Sequence, residues 1–376
     1  MTGPLIILGA SARAAAWSAR QAGFEPYSID LFADADTAAL GTAVRIADYP
    51  GGFAAALRAA PDAPWLYTGS LENSPQLVDD LAQIRPLWGN AGDVLRAVRD
   101  PYQLAAAVRE WGYRFPETSL TLPSPGAAWL RKPLKSGGGM GIRLATDDEP
   151  PATRAYFQRF VTGTPASALY VAAAGQARCL GLTRQLVGSD WNLAEPFQYV
   201  GSIAPFRLPD EQYDRIVALG GLMAERFRLT GIFGVDLVVS DRDFWILEVN
   251  PRYTAAVEVL ERQRDWPLLE LHATATRKGL DVTFPEAKFS PPPLFHGKAI
   301  VYAPANMRVP PAWDTFVAER NVHSSQPQLA DLPRAGDAIR AGQPICTVFA
   351  TGSNDQEVED ALRERVAEVL GQFGVG

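Results

Sequence analysis

The chain has 376 residues, of which 47% are hydrophobic and 20% charged, and its formal net charge is −7. That length exceeds one ordinary core and predicts two or three domains of a soluble globular protein. The negative balance gives no bulk attraction for nucleic acid or an anionic membrane, and no segment reaches the roughly 18 apolar residues that a spanning helix needs.

In chain order, "PLIILG" is a short apolar run ending in Gly9, and "ASARAAAWSARQAG" follows as a helix stopped at Gly23. "FEPYSIDLF", "AVRIADY" and "APWLYTGS" read as further strands, with helical "GGFAAALRAA" between the last two and "NSPQLVDDLAQI" after them. Strand–helix alternation of this kind predicts an open α/β sheet, a first domain over residues 1–96. "GDVLRAVRDPYQLAAAVREW" predicts two helices broken at Pro101, and "AAWLRKPLKSGGGMGIRLAT" predicts a strand, a glycine-rich loop and a strand. "DEQYDRIVALGGLMAERFRLTG" is an amphipathic helix, and "IFGVDLVVSDRDFWILEVN" reads as two strands around the turn "SDRD". A second, α+β domain with an antiparallel sheet is expected over 97–290. Composition changes after "SPPPLFHG". The run Pro291–Pro293 reads as a linker to a small β-rich domain over 291–376.

Cys179 and Cys346 lie far apart, and His272, His296 and His323 lack ligand spacing. Neither a disulfide framework nor a zinc site is expected. The opening "MTGPLIILGASARAAAW" lacks a basic n-region, so a cytoplasmic protein is the default expectation.

Two constellations carry chemistry. In "LRKPLKSGGGMGIR", Lys132 closes a strand, Lys135 and Ser136 follow, and Gly137, Gly138, Gly139 and Gly141 make a loop. Glycines let backbone N–H groups approach a polyphosphate, and lysine adds a point charge. The order is not that of a Walker A loop, and an exposed hairpin turn is the alternative. The second is Asp236, Glu248 and Asn250. Their strands would be antiparallel neighbours, bringing Asp236 opposite Glu248, and Glu248 and Asn250 share one face two residues apart. Two carboxylates and an amide oxygen are hard ligands suited to Mg²⁺, whereas two uncompensated buried acids would be costly. A pair of surface acids is the alternative.

In this order, these pieces resemble the ATP-grasp superfamily, and in particular its biotin carboxylase-like branch of carboligases and carboxylate–amine ligases. "YTGSLENSPQLVDDL" is similar to a turn of the pre-ATP-grasp domain, "LRKPLKSGGGMGIR" to the lysine strand and flap, "GVDLVV…FWILEVNPR" to the metal strands, and "RAGDAIRAGQPICTVFATG" to the C-terminal small sheet. The resemblance implies an ATP-grasp fold with a Rossmann-like N-terminal domain. It implies ATP and Mg²⁺ (Mn²⁺ as an alternative) as cofactors, a small-molecule carboxylate and an amine acceptor as partners, and a homodimer as one assembly.

By the same resemblance, Lys132, Lys135, Ser136 and the flap Gly137–Gly141 meet the phosphates. Gln158, Phe160 and Val161 lie along the adenine. Asp236, Glu248 and Asn250 hold metal, and Arg252 faces the transferred phosphoryl group. Ser11, Arg13, Glu72 and Arg184 are candidate substrate contacts, with helix capping as the alternative reading of Ser11 and Arg13.

Two departures matter. Pro101 stands where the family has a lysine, so a phosphate cation is lost or supplied by Lys135, Arg131 or Arg184. Thr254 and Ala256 stand where a carboxylase has Gln and the Glu that acts as base, with Glu258 displaced by two. The implied activity is therefore formation of an acyl-phosphate for attack by an amine, with a bicarbonate-using carboxylase or a non-catalytic ATP-binding module as alternatives. His296 beside Lys298 and Cys346 are read as structural, and so are the aromatics Trp191, Phe197 and Tyr199, with the lining of an acceptor pocket as their alternative.

Overall fold

The alternating pattern at the N-terminus folds as a four-stranded parallel sheet in the computed structural model, which describes residues 3–123, 127–146, 154–191, 193–278, 294–322 and 326–375. Its strands β1 (Pro4–Leu8), β2 (Glu25–Asp30), β3 (Thr42–Arg45) and β4 (Trp65–Tyr67) lie in the order β3-β2-β1-β4. Helices α1 (Arg13–Gln21), α2 (Ala35–Leu40), α3 (Phe53–Ala59) and α4 (Pro75–Ala82) connect and follow them. Two more helices, α5 (Gly92–Val98) and α6 (Pro101–Glu110), lead into the next part. The break between them is a cap: Pro101 opens α6, where a missing N–H costs nothing, and the Asp100 carboxylate accepts from Tyr102 N at 2.8 Å and Gln103 N at 3.2 Å.

The lysine-bearing segment forms a small antiparallel sheet of β5 (Thr118–Ser119), β6 (Trp129–Pro133), β7 (Arg143–Leu144) and β8 (Ala155–Arg159), in the order β5-β8-β6-β7. A long antiparallel sheet follows from β9 (Thr164–Ala173), β10 (Gln176–Val187), β11 (Tyr199–Ala204), β12 (Gly231–Val239) and β13 (Phe244–Asn250). Helix α7 (Asp210–Phe227) precedes β12, and α8 (Val257–Arg264) and α9 (Leu268–Lys278) follow β13. Alternation sorts its side chains to two faces. Ala168, Tyr170, Phe233 and Val235 pack with Ile216, Leu219 and Met223 of α7. Leu169, Val171 and Ile232 pack with Leu260, Leu268 and Leu269, and Ala15, Ala16 and Ala19 of α1 join that same core. The N-terminal domain and the β9–β12 region therefore share one apolar interior.

The C-terminal part contains β14 (Phe295–Tyr302), β15 (Met307–Arg308), α10 (Trp313–Arg320), β16 (Leu329–Ala330), β17 (Ala338–Ile339), β18 (Pro344–Gly352) and α11 (Asp355–Gln372). It is β-rich as expected, yet its main strands do not stand apart. β14 pairs with β11, with Lys298 opposite Ser202, and β18 and β16 continue outward, giving one eight-stranded sheet in the order β13-β12-β9-β10-β11-β14-β18-β16. Without β14, the β11 edge would present unpaired backbone groups. The expected linker at Pro291–Pro293 lies outside the described residues, as does His323. No helix among the described residues is long and apolar enough to cross a membrane.

Candidate active site

β12 and β13 pair with Asp236 directly opposite Glu248 and Gly234 opposite Asn250, with a bulge after Asp236. Asn250 Nδ2 donates to Asp236 Oδ2 at 2.9 Å, and Gln185 Nε2 of β10 donates to Oδ1 at 2.9 Å. Burial, and then Glu248 facing it, push the Asp236 carboxyl up to about 7. Burial works against the Glu248 charge too, but Lys132 and then Arg99 outweigh it and hold that carboxyl below its ordinary range. Opposed carboxylates in low dielectric would otherwise not both ionise.

Lys132, on β6 and 6% exposed, points its Nζ at Gln158 Oε1 at 3.1 Å. The two are diagonal neighbours on the paired strands β6 and β8. Burial opposes the ammonium charge, yet Tyr156 and Glu248 hold it above the ordinary lysine value. Gln158 keeps its buried Nε2 without a partner among the described residues. Phe160 and Val161 lie just past the end of β8, and the Phe160 ring meets Phe197 edge-on at 6.1 Å.

Between β6 and β7 the flap takes a shape only glycine holds easily. Gly138, Gly139 and Gly141 have φ of +60°, +74° and +70°. A Cβ on Gly139 would fall 1.8 Å from the Phe197 carbonyl oxygen. The flap docks on the segment before β11: Tyr199 N donates to Gly138 O at 2.8 Å and Gly141 N to Glu195 Oε2 at 3.3 Å. Lys135 is exposed at its edge. Phe197 is therefore a neighbour of the flap rather than purely core, whereas Trp191 packs against the C-terminal core with Arg363 over its ring.

Arg252, just past β13, is anchored from the other domain. Its Nε donates to Glu72 Oε1 at 2.8 Å and its Nη2 to Asn250 Oδ1 at 3.3 Å. Glu72 sits on the short turn Leu71–Asn73 with its side chain fully buried. One cleft is lined by Arg99, Lys132, Gly137, Gly139, Tyr156 and Glu248. Arg99 was missed from the sequence as a site residue. Its place at the end of α5 in "VRDP" carries no local signal beyond its charge.

Other expected contacts have different engagements. Arg184 is ion-paired with Asp355 at 2.8 Å and Glu359 at 2.6 Å on α11. Arg13 is buried and bound to Glu258 and Asp331, and Ser11 Oγ reaches Asp331 at 3.4 Å. These groups are taken up by the chain's own carboxylates, so the anion site expected at the start of α1 is filled internally. Glu258 is fully buried, and Lys298 Nζ meets it at 3.0 Å. Cys346 is wholly buried in the C-terminal core, and burial, then Arg262, lowers the His296 imidazole to about 4.

A buried lysine beside an orphan amide donor, a glycine flap with positive-φ turns, and an opposed carboxylate pair with an adjacent amide and arginine together suit a metal–polyphosphate. A divalent cation would add counter-charge to the carboxylate pair, although Lys132 and Arg99 already offset Glu248, both Asp236 oxygens accept amide donors and Glu248 alone lines the cleft. Among the described residues no cluster of three or more His, Cys, Asp or Glu joins them. Residues 98–256 match the family model of the ATP-grasp domain, and the chain carries an ATP-grasp domain.

Over 295 residues the chain is 21% identical to an uncharacterized protein of Methanocaldococcus jannaschii, covering 74% of this chain and 67% of that one. Its fold is similar to the L-amino acid ligase of Bacillus licheniformis, at TM-score 0.70 and 15% identity over 97% of each chain. Biotin carboxylase of Campylobacter jejuni, crystallised as a beta-gamma-ATP complex, gives TM-score 0.70 and 13% identity over 95% of this chain and 89% of that one. N5-carboxyaminoimidazole ribonucleotide synthetase of Thermotoga maritima gives 0.66 and 13% over 97% and 98%. At these identities the likeness is one of fold.

Proposed function

We propose that this protein is an ATP- and Mg²⁺-dependent ligase that activates a small carboxylic acid as its acyl-phosphate for attack by an amine. The observation that carries the reading is Lys132 and Glu248 sharing one cleft beneath the glycine flap. Mg-ATP, when bound, supplies the phosphoryl group and the driving force. Lys132 holds phosphate oxygens as a point charge, and the flap amides shut out water that would hydrolyse the activated acid. Glu248, with Asp236 and Asn250 beside it, would hold the cation. Arg252, oriented by Glu72, faces the group being transferred, where fixed positive charge stabilises the transition state without covalent catalysis.

A carboxylase is the second reading, favoured by the equal fold similarity to biotin carboxylase. Three local features weigh against it. Thr254 keeps a buried hydroxyl without a hydrogen-bond partner among the described residues, Ala256 is apolar, and Glu258 is clamped by Arg13 and Lys298 rather than free to act as a base. The test is ADP and phosphate release across a matrix of acids and amines, with and without bicarbonate. The ligase reading expects turnover only with a matched acid and amine, and its loss in Glu248→Ala. Bicarbonate-stimulated turnover without an amine would establish the carboxylase, and ATP binding with no turnover anywhere in the matrix the non-catalytic module.

A further inference from the structure

Position 101 lacks the lysine expected there, and the Pro101 ring lines the cleft without any charge. Arg99, two residues earlier, lines the same cleft. Its Nη2 donates to Asn73 Oδ1 at 3.2 Å and to the Ser136 carbonyl at 3.1 Å. Asn73 ends the turn that carries Glu72, and Ser136 is the residue from which the flap springs. Both bonds leave from one nitrogen, and a guanidinium carries five N–H donors in a planar fork. The unused part of that fork matches a phosphate edge. Its charge is also one of those that hold Glu248 ionised.

We propose that Arg99 is a polyphosphate-binding residue that replaces the lysine absent at position 101 and tethers the flap to the N-terminal domain. The inference rests on the ATP reading above. It adds two properties to it: phosphate affinity depends on Arg99, and flap order depends on Arg99 even before nucleotide arrives. Neither Lys135, exposed at the flap edge, nor Arg184, paired to α11, supplies both.

The experiment compares wild type, Arg99→Met, Arg99→Lys and the double variant Arg99→Met/Pro101→Lys by calorimetry with Mg-ATP and with adenosine. Hydrogen exchange of residues 136–141 is followed in the nucleotide-free proteins. Arg99→Met is expected to weaken Mg-ATP about 10- to 100-fold, the range for a charge-assisted bond, and adenosine about twofold or less. Adding Pro101→Lys restores most of the ATP affinity but not the slow flap exchange. Arg99→Lys keeps ATP affinity within about tenfold and still speeds flap exchange, since one ammonium cannot span Asn73 and Ser136 while meeting a phosphate. The Lys variant also keeps the test decisive if Arg99→Met fails to fold. Unchanged ATP affinity in Arg99→Met, or equal losses for ATP and adenosine, overturns the proposal while leaving the ATP reading intact. A wild type that binds no Mg-ATP overturns both.

Discussion

Glu72 and Arg252 are 180 residues apart in the chain and joined by a hydrogen bond of 2.8 Å. The pair fixes the arginine just past β13 from a turn of the N-terminal domain. Without it a guanidinium whose side chain is 10% exposed would lack its carboxylate partner. Glu72→Ala is expected to destabilise the protein by about 3 kcal/mol, the lower end for a broken buried pair. It should also depress turnover by more than nucleotide affinity. Urea unfolding and a comparison of kcat with ATP Kd measure this; a loss of stability under about 1 kcal/mol would show the pair to be incidental.

Lys132→Met removes the ammonium but keeps much of the stem volume. Mg-ATP affinity should fall about 10- to 100-fold. Stability should fall as well, because buried Glu248 loses the first of the charges that offset its burial and Gln158 Oε1 loses its donor. Calorimetry and thermal unfolding report the two separately. Undiminished affinity would place the phosphates away from β6.

The flap glycines separate into those that need to be glycine and those that do not. Gly139 has φ of +74° and no room for a Cβ, whereas a Cβ on Gly137 would meet nothing within 4 Å. Gly139→Ala should displace the flap from Phe197 and raise the ATP Kd by about tenfold or more, since left-handed backbone strain of about 1 kcal/mol adds to the clash. Gly137→Ala should bind ATP as wild type does. Equal behaviour of the two would contradict docking of the flap on residues 195–199.

Two buried acids set an alkaline limit to stability. Glu261 is pushed up to about 8, by burial first and partly by Glu258, despite hydrogen bonds from Ser18 and Tyr253. Asp34 is pushed up to about 8 by burial and then by Asp331. Each keeps its proton in the folded chain where the unfolded chain has lost it. Their contribution is therefore full below the unfolded carboxylate values and is lost as pH rises through about 8.

Glu258 behaves in the opposite way. Burial opposes its charge, but Arg13 and then Lys298 hold it well below the ordinary range, so its contribution is present above the unfolded value and lost as the solution is acidified past it. From these three groups, stability should peak near the unfolded carboxylate range, at about pH 4 to 5. Glu261→Gln should flatten the alkaline limb and leave the acid limb in place. Denaturant titrations across pH would show it, and an unaltered alkaline limb would exclude Glu261 as its source.

Much of the site was legible locally. Alternation in "GVDLVV" and "FWILEVN" placed Asp236 opposite Glu248, and the register has that pairing. The four glycines after Lys132 read as a loop between two strands, and the structure adds positive φ at Gly138, Gly139 and Gly141. Pro101 marked a helix break, and Asp100 caps the helix that follows. The helix α8 that follows Arg252 was not read from the sequence. Its buried face carries Glu258, Glu261 and Arg262, which carry the polar pattern of a solvated helix and are wholly or almost wholly buried.

By itself the sequence determined what depends on neighbours along the chain: strand and helix periods, caps, turn glycines, and which acids share a strand face. The tertiary structure decided which charges neutralise one another and which face the cleft. Arg13 and Arg184 carry the same formal charge as Arg99, yet the first two are ion-paired within the fold and the third lines the cleft. The reason is that Coulomb energy and desolvation depend on distance through space. Residues 37 apart, such as Arg99 and Ser136, or 245 apart, such as Arg13 and Glu258, come together only when the sheets and helices between them have packed.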